Sequence, residues 1–220
     1  MSAREDIMNR IKSALRDAPV TPVVPREYRR TSDMTDRQRL EQLVDRLVDY
    51  KANVFVTPAG DAPAKLAGLL AGSASIVVPH GLPGSWLSAL PLAGNHGTAK
   101  DDVWTLAVHV DSPERRLTTA ELDAVDAVVT ASAVAVSETG TIMLDGGDDQ
   151  GRRIISLVPD RHICFLNVDQ IVELLPEAIA RLEATRPQTW ISGPSATSDI
   201  ELERVEGVHG PRTLDVIILT

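Results

Sequence analysis

The chain has a single cysteine, Cys164, in 220 residues. An intramolecular disulfide is therefore excluded, and nothing points to an oxidising compartment. An iron–sulfur cluster normally takes about four cysteine ligands, so this chain alone is not expected to carry one. Aromatic residues are also scarce, at 3%. The core must be built from Ala, Val, Leu and Ile, which suits buried parallel strands covered by helices. Positive charge is in deficit: 22 Lys and Arg stand against 31 Asp and Glu, a formal net charge of −9. Binding to nucleic acid or to an anionic membrane needs a basic face and is not expected. Long hydrophobic runs are missing too. No stretch approaches the ~18 apolar residues of a membrane span. The opening MSAREDIMNRIKSAL lacks the apolar centre of a signal peptide. The expected location is the cytoplasm. The five histidines, at 80, 96, 109, 162 and 209, show no zinc-ligand spacing. No GxGxxG follows a predicted strand. No metal and no cofactor is expected.

Hydrophobic residues make up 43%, and at 220 residues one domain is the default. Residues 4–16 place Ile7, Ile11 and Leu15 at helical spacing. Pro19, Pro22 and Pro25 then forbid a regular helix or central strand. Residues 1–34 read as a helical arm with a Pro-rich linker, packed on the body or on a second subunit of a homo-oligomer. The α/β domain is expected over 35–220. Thr35 and Gln38 match a capping box, and Leu40, Leu43, Val44, Leu47 and Val48 form one stripe to about Tyr50. The runs 53–57, 61–72 and 75–79 read as strand, helix, strand, a parallel crossover. The Gly- and Pro-rich passage 79–102 reads as a loop over a sheet edge or a site.

The pattern predicts a strand at 103–110 and a helix at 118–129, with Thr118 and Glu121 as a capping pair. The runs 133–137, 141–144 and 153–159 are separated by short connections, which suit antiparallel hairpins. A strand at 163–167, a helix at 169–185 kinked by Pro176, and strands at 189–192 and 215–219 complete the chain. The expected fold is α/β in three layers: a mixed, mostly parallel sheet with helices on both faces.

Three segments together resemble one family: AVAVSETGTIMLDGGDDQGRRIISLVPDRHICFL (133–166), TWISGPSATSDIE (189–201) and GVHGPRTLDVIIL (207–219). The chain resembles the lactate-utilisation C family, whose members carry the LUD domain. The resemblance implies a variant of the sugar-isomerase and CoA-transferase-like (NagB/RpiA) fold. It implies two partner proteins, at least one with iron–sulfur clusters, in a system that oxidises L-lactate to pyruvate. It brings no established catalytic residue.

SETGT (137–141) sets Glu138 between two predicted strands, with Thr139, Gly140 and Thr141 beside it. Class I CoA transferases have a similar Ser-Glu-Asn-Gly signature, in which Glu attacks an acyl-CoA; here Thr139 replaces the Asn. The competing reading is a hairpin turn made by Gly140, with Glu138 solvated. GPSATSDIE (193–201) offers Gly193, Ser195, Thr197, Ser198 and Asp199 at a strand-to-helix turn, where backbone N–H groups suit a carboxylate or phosphate. Capping of the helix by Ser198 and Glu201 explains the same residues. GVHGPR (207–212) holds His209, Gly210 and Arg212, able to move a proton and grip a carboxylate, or to form a plain turn. LDGGDDQGRR (144–153) fails the calcium-loop pattern, because its twelfth position is Ser156. It reads as a solvated turn neutralised by Arg152 and Arg153. Cys164 falls in a predicted buried strand and reads as core.

Three functions fit these features. One is a subunit or accessory protein of a lactate-oxidising system. The second is an acyl- or CoA-transferring enzyme using Glu138. The third is a module that binds a small carboxylate or phosphorylated ligand.

Overall fold

Two strands near the C-terminal half are apolar on both sides, ICFL and VIIL, and both must be covered. The structure, a computed structural model, describes residues 2–16, 23–92, 105–197, 205–206 and 210–220. In chain order the elements are α1 (Ala3–Ala14), α2 (Asp36–Asp49), β1 (Asn53–Thr57), α3 (Ala62–Leu69), β2 (Ser75–Pro79), β3 (Ala107–Asp111), α4 (Thr119–Asp123), β4 (Ala127–Thr130), β5 (Val134–Val136), β6 (Thr141–Leu144), β7 (Arg161–Asn167), β8 (Ile171–Val172), α5 (Leu175–Ile179), β9 (Thr189–Ile191), β10 (Ala196–Thr197), β11 (Val205–Glu206) and β12 (Thr213–Leu219). Among the described residues no helix is long and apolar enough to cross a membrane.

Six strands form one sheet in the order β1-β12-β7-β4-β2-β3, and every pairing in it is parallel. Alternation sends Ile163, Phe165 and Ile217 to one face, with Leu66 and Leu70 of the α3 region. Cys164, Leu166, Val216 and Ile218 go to the other, against Leu43 and Leu47 of α2. A second sheet, β8-β5-β6-β9, lies on that same face. Its inner side gives Ala135, Ile142 and Leu144 to the shared core. Its outer side, Val134, Val136 and Met143, packs with Ala178 of α5. The three-layer α/β architecture with helices on both faces is as expected. The antiparallel section is not part of the main sheet; it is the separate sheet in which β5–β6 and β6–β9 are antiparallel.

Three elements differ from the sequence pattern. The predicted helix at 118–129 ends at Asp123, and Ala127–Thr130 is strand β4. Asp126 breaks the helix by accepting from the N–H groups of Ala74 and Ser75 at 2.6 and 2.9 Å. The predicted strand at 153–159 is a 3₁₀ turn over Arg153–Ser156 that buries Ile155 beside α4. The predicted helix at 169–185 is a 3₁₀ turn at 168–170, strand β8 and the short α5. Ile171 and Val172 pair with Ala135 and Val136, and Pro176 starts the helix in its first turn rather than kinking it. The capping boxes at Thr35–Gln38 and Thr118–Glu121 are formed as read. Strand β3 covers Ala107–Asp111; residues 103–104 of the predicted strand lie outside the described residues. In α1 no residue is buried.

Phe165 is fully buried and stacks on Trp86 with ring centroids 4.1 Å apart. With so few aromatics, this pair is the bulkiest contact of its layer. Phe165→Ala is expected to lower the unfolding free energy by about 3–5 kcal/mol. Urea titration checks this; a loss below about 1 kcal/mol would show the layer collapsing around the gap.

Candidate functional site

The described parts of the three candidate turns meet near the amino ends of β7 and β12. The β5–β6 hairpin turn presents Thr139 and Thr141, whose hydroxyls lie 2.8 Å apart, and Thr141 continues to Ser192 at 2.8 Å. Gly140 has φ +63, and a Cβ there would lie 2.7 Å from Arg46 Cβ. Gly193 has φ +88, and a Cβ would lie 2.8 Å from the Tyr50 carbonyl oxygen. Both glycines let these turns close on the end of α2. Ser195 N–H donates to the Pro211 carbonyl at 2.8 Å, joining the second turn to the third. Gly210 sits against Ser195. Thr197 lies on β10, paired with Val205. Ser198, Asp199 and His209 lie outside the described residues.

Two charged candidates are already engaged. Glu138 is half-exposed and paired with Arg29, which also reaches Glu173 at 3.0 Å. Ser32 binds Glu173 through its hydroxyl and Glu177 through its N–H at 3.2 Å. Residues 29–32 are thereby fastened over the SETG turn. Arg212 forms a two-bond fork with Asp160, both at 2.6 Å. Its hydrogen bonds hold the Asp160 carboxyl below its usual range.

A small cavity of about 150 Å³ opens between Ser156, His162, Gly193, Ser195, Pro211 and Leu214. His162 is 1% exposed, and its Nε2 lies 2.8 Å from Thr130 Oγ1. Burial pushes its pKa down to about 4. Cys164, deeper in the sheet, is pushed up to about 12 by burial, which suits a core thiol and not a nucleophile.

The opposite, carboxyl edge of the sheet carries residues that sequence reasoning missed as a group. The 145–152 loop folds back onto the end of β2. Gly81 N–H donates to the Asp148 carbonyl at 2.9 Å, and a Cβ on Gly81 would lie 2.6 Å from Asp148. Asp111, at the end of β3, is 3% exposed. Arg152 meets it with two hydrogen bonds, at 2.9 and 2.6 Å, and Leu117 N–H adds a third at 2.9 Å. Burial alone would raise the Asp111 carboxyl, but these bonds and the Arg152 and Arg116 charges outweigh it and leave it lowered. Arg152 also donates to the Leu117 carbonyl at 2.9 Å. The loop is therefore not a free solvated turn; one arginine of its GRR end is bound to the sheet. Asp149 is shifted the other way: burial raises its carboxyl, and the neighbouring Asp145 and Asp148 charges add to that. Between the loop and residues 111–116 lies a cleft of about 330 Å³, lined by His80, Arg116, Gly147, Arg152 and Arg153. The sequence signal for it is an Asp closing a strand, a Ser-Pro turn after it, and paired arginines in two separate segments.

Most of the chain is similar to known proteins. A family model described as LUD domain matches residues 40–219. The lactate utilization protein C of Deinococcus radiodurans is 46% identical over 184 residues, covering 82% of this chain and 79% of that protein. The lactate utilization protein C of Bacillus subtilis is 35% identical over 91 residues, 38% of each chain. The crystal structure of a DUF162 family protein from Deinococcus radiodurans superposes with a TM-score of 0.65 and 36% identity, over 85% of this chain and 99% of that one.

The buried imidazole gives the fold a pH dependence. The unfolded chain takes up a proton near pH 6.5, while folded His162 refuses it until about pH 4. Its contribution is complete above the unfolded value and is lost as pH falls through this window. Wild-type protein should lose about 2–3 kcal/mol more than His162→Gln between neutral pH and about pH 4.5. Chemical denaturation across pH measures the difference; parallel profiles would contradict it.

Proposed function

The chain belongs to the LUD domain family, and from that membership we propose that it serves lactate utilisation as a subunit or accessory protein in the cytoplasm. It acts beside partners that carry iron–sulfur clusters and oxidise L-lactate to pyruvate. One observation carries the reading: 46% identity over 184 residues to a protein named lactate utilization protein C. The single cysteine supports the division of labour, since a four-thiolate cluster must come from another chain.

Within this role we assign Glu138 to anchoring. Its bond to Arg29 occupies one carboxylate oxygen and fastens residues 29–32. That arrangement opposes attack on an acyl group. The turns at 137–141, 193–199 and 207–212 form a surface for partner proteins or a small carboxylate. The arm offers Ile7, Met8, Ile11 and Leu15, all exposed, to a partner chain or a second copy.

Deleting the gene should abolish growth on L-lactate but not on glucose, and restoring the full chain should recover it. Tagged protein from lactate-grown cells should bring down cluster-bearing proteins, and removal of residues 1–25 should weaken that recovery. Unimpaired growth of the deletion strain, or lactate oxidation by the purified chain alone, would overturn the reading.

A further inference from the structure

The connections of the parallel sheet change sides at one place. After β1 the chain crosses by α3, and after β2 by residues Trp86 and Leu87; both pack on the face of Ile76 and Val78. After β3 it crosses by α4, whose Leu122 packs with Val77 and Val128 on the opposite face. Neighbouring strands β2 and β3 thus send their carboxyl ends to opposite sides. The chain ends splay apart there and leave a crevice, which is where ligands enter open parallel sheets. The 330 Å³ cleft lies at this point, lined by His80 after β2 and by residues 111–116 after β3. Its size falls within the range of small-molecule sites, ~300–1,000 Å³.

The lining is basic in an acidic protein. Arg116, Arg152 and Arg153 face the cleft with Asp111 and Asp148. Arg116 and Arg153 are exposed, and neither enters an ion pair among the described residues. With 31 acidic residues in the chain, two exposed guanidinium groups that line one concavity and form no ion pair among the described residues are a distinct feature. Arg152 is a different part. Asp111 and the Leu117 carbonyl use its Nε and Nη2. Its Nη1 has no hydrogen-bond partner among the described residues. A buried carboxylate thus fixes one planar donor, and two exposed cations line the same cleft. Asp148 is held near His80, at 3.7 Å. Gly146, at φ +73, and Gly147 bring bare backbone to the same wall.

We propose that this cleft is a binding site for a small organic or inorganic anion bearing a carboxylate or a phosphate group. Arg116 and Arg153 supply the charge, and Arg152, oriented by Asp111, supplies a fixed donor. The site is distinct from the turns at the amino ends of β7 and β12. It does not depend on the cellular role proposed above.

The test is a titration of ¹⁵N-labelled full-length protein with sodium L-lactate, sodium pyruvate and inorganic phosphate, each against sodium chloride at matched ionic strength. Saturable amide shifts are expected at Ser112, Gly146, Gly147 and Gly151. Saturation by the carboxylates alone assigns a carboxylate site, and by phosphate alone a phosphate site. In Arg116→Ala/Arg153→Ala the affinity should fall at least tenfold, with spectra otherwise preserved because both side chains are exposed. The variant Arg10→Ala/Arg37→Ala, which loses the same charge elsewhere, should bind as wild type. Shifts no larger than those with chloride, or an equal loss in both double variants, would overturn the proposal.

Discussion

A parallel sheet that is apolar on both sides must be roofed on both sides, and the other features of this molecule follow from that. Strands β7 and β12 bury residues of both parities, so neither face can meet water. Short aliphatic side chains give thin layers, and the chain solves the two faces differently. One is covered by α3 and the loop that brings Trp86 onto Phe165. The other is covered by α2 and α4, with a small second sheet that is itself capped by α5. Because successive connections must reach opposite faces, they part at the carboxyl ends of β2 and β3. The crevice there is a consequence of covering the sheet, and the 145–152 loop then forms one of its walls.

Buried charges sit at the ends of the strands and differ in what surrounds them. Asp215, near the amino end of β12, takes Asn53 at 2.9 Å and Arg161 at 2.7 Å. Arg161 also donates to the Leu69 carbonyl at 2.7 Å, tying α3 to the sheet. That network joins three strands and a helix. Asp111 at the carboxyl edge also satisfies its arginine only in part, but there the remaining donors of Arg152 border an open cleft beside two more arginines. A similar ion pair thus serves structure at one edge and borders open space at the other. Neither pair needs to add much net stability, since desolvation offsets the attraction; what each fixes is geometry.

Much of the fold was legible in the sequence. The capping pairs at Thr35 and Thr118, the first parallel crossover and the hairpin around Gly140 all rest on local rules, and each is formed. Misread segments share one cause. Short apolar runs such as Ala127–Thr130 and Ile171–Val172 have the same hydrophobicity in a helix or a strand, and only a pairing partner distant in sequence decides between them. The site is less legible for the same reason. Ser192, Ser195 and Pro211 come together with the SETG turn through tertiary contacts, whereas Glu138 and Arg212 find partners in Arg29 and Asp160 that no motif links to them. The cleft draws on residues near 80, 111–116 and 146–153, three segments with no common pattern. Only the order of the strands brings them to one edge.

The claim that the side-switch builds an anion cleft is tested most directly by arginine modification with phenylglyoxal, read by mass spectrometry at each site. Arg116 and Arg153 should react readily in the free protein and be protected by millimolar carboxylate or phosphate. Arg152, held by Asp111, should react slowly in both conditions. Equal modification of Arg116 and Arg153 with and without the anions, at matched ionic strength, would contradict the account.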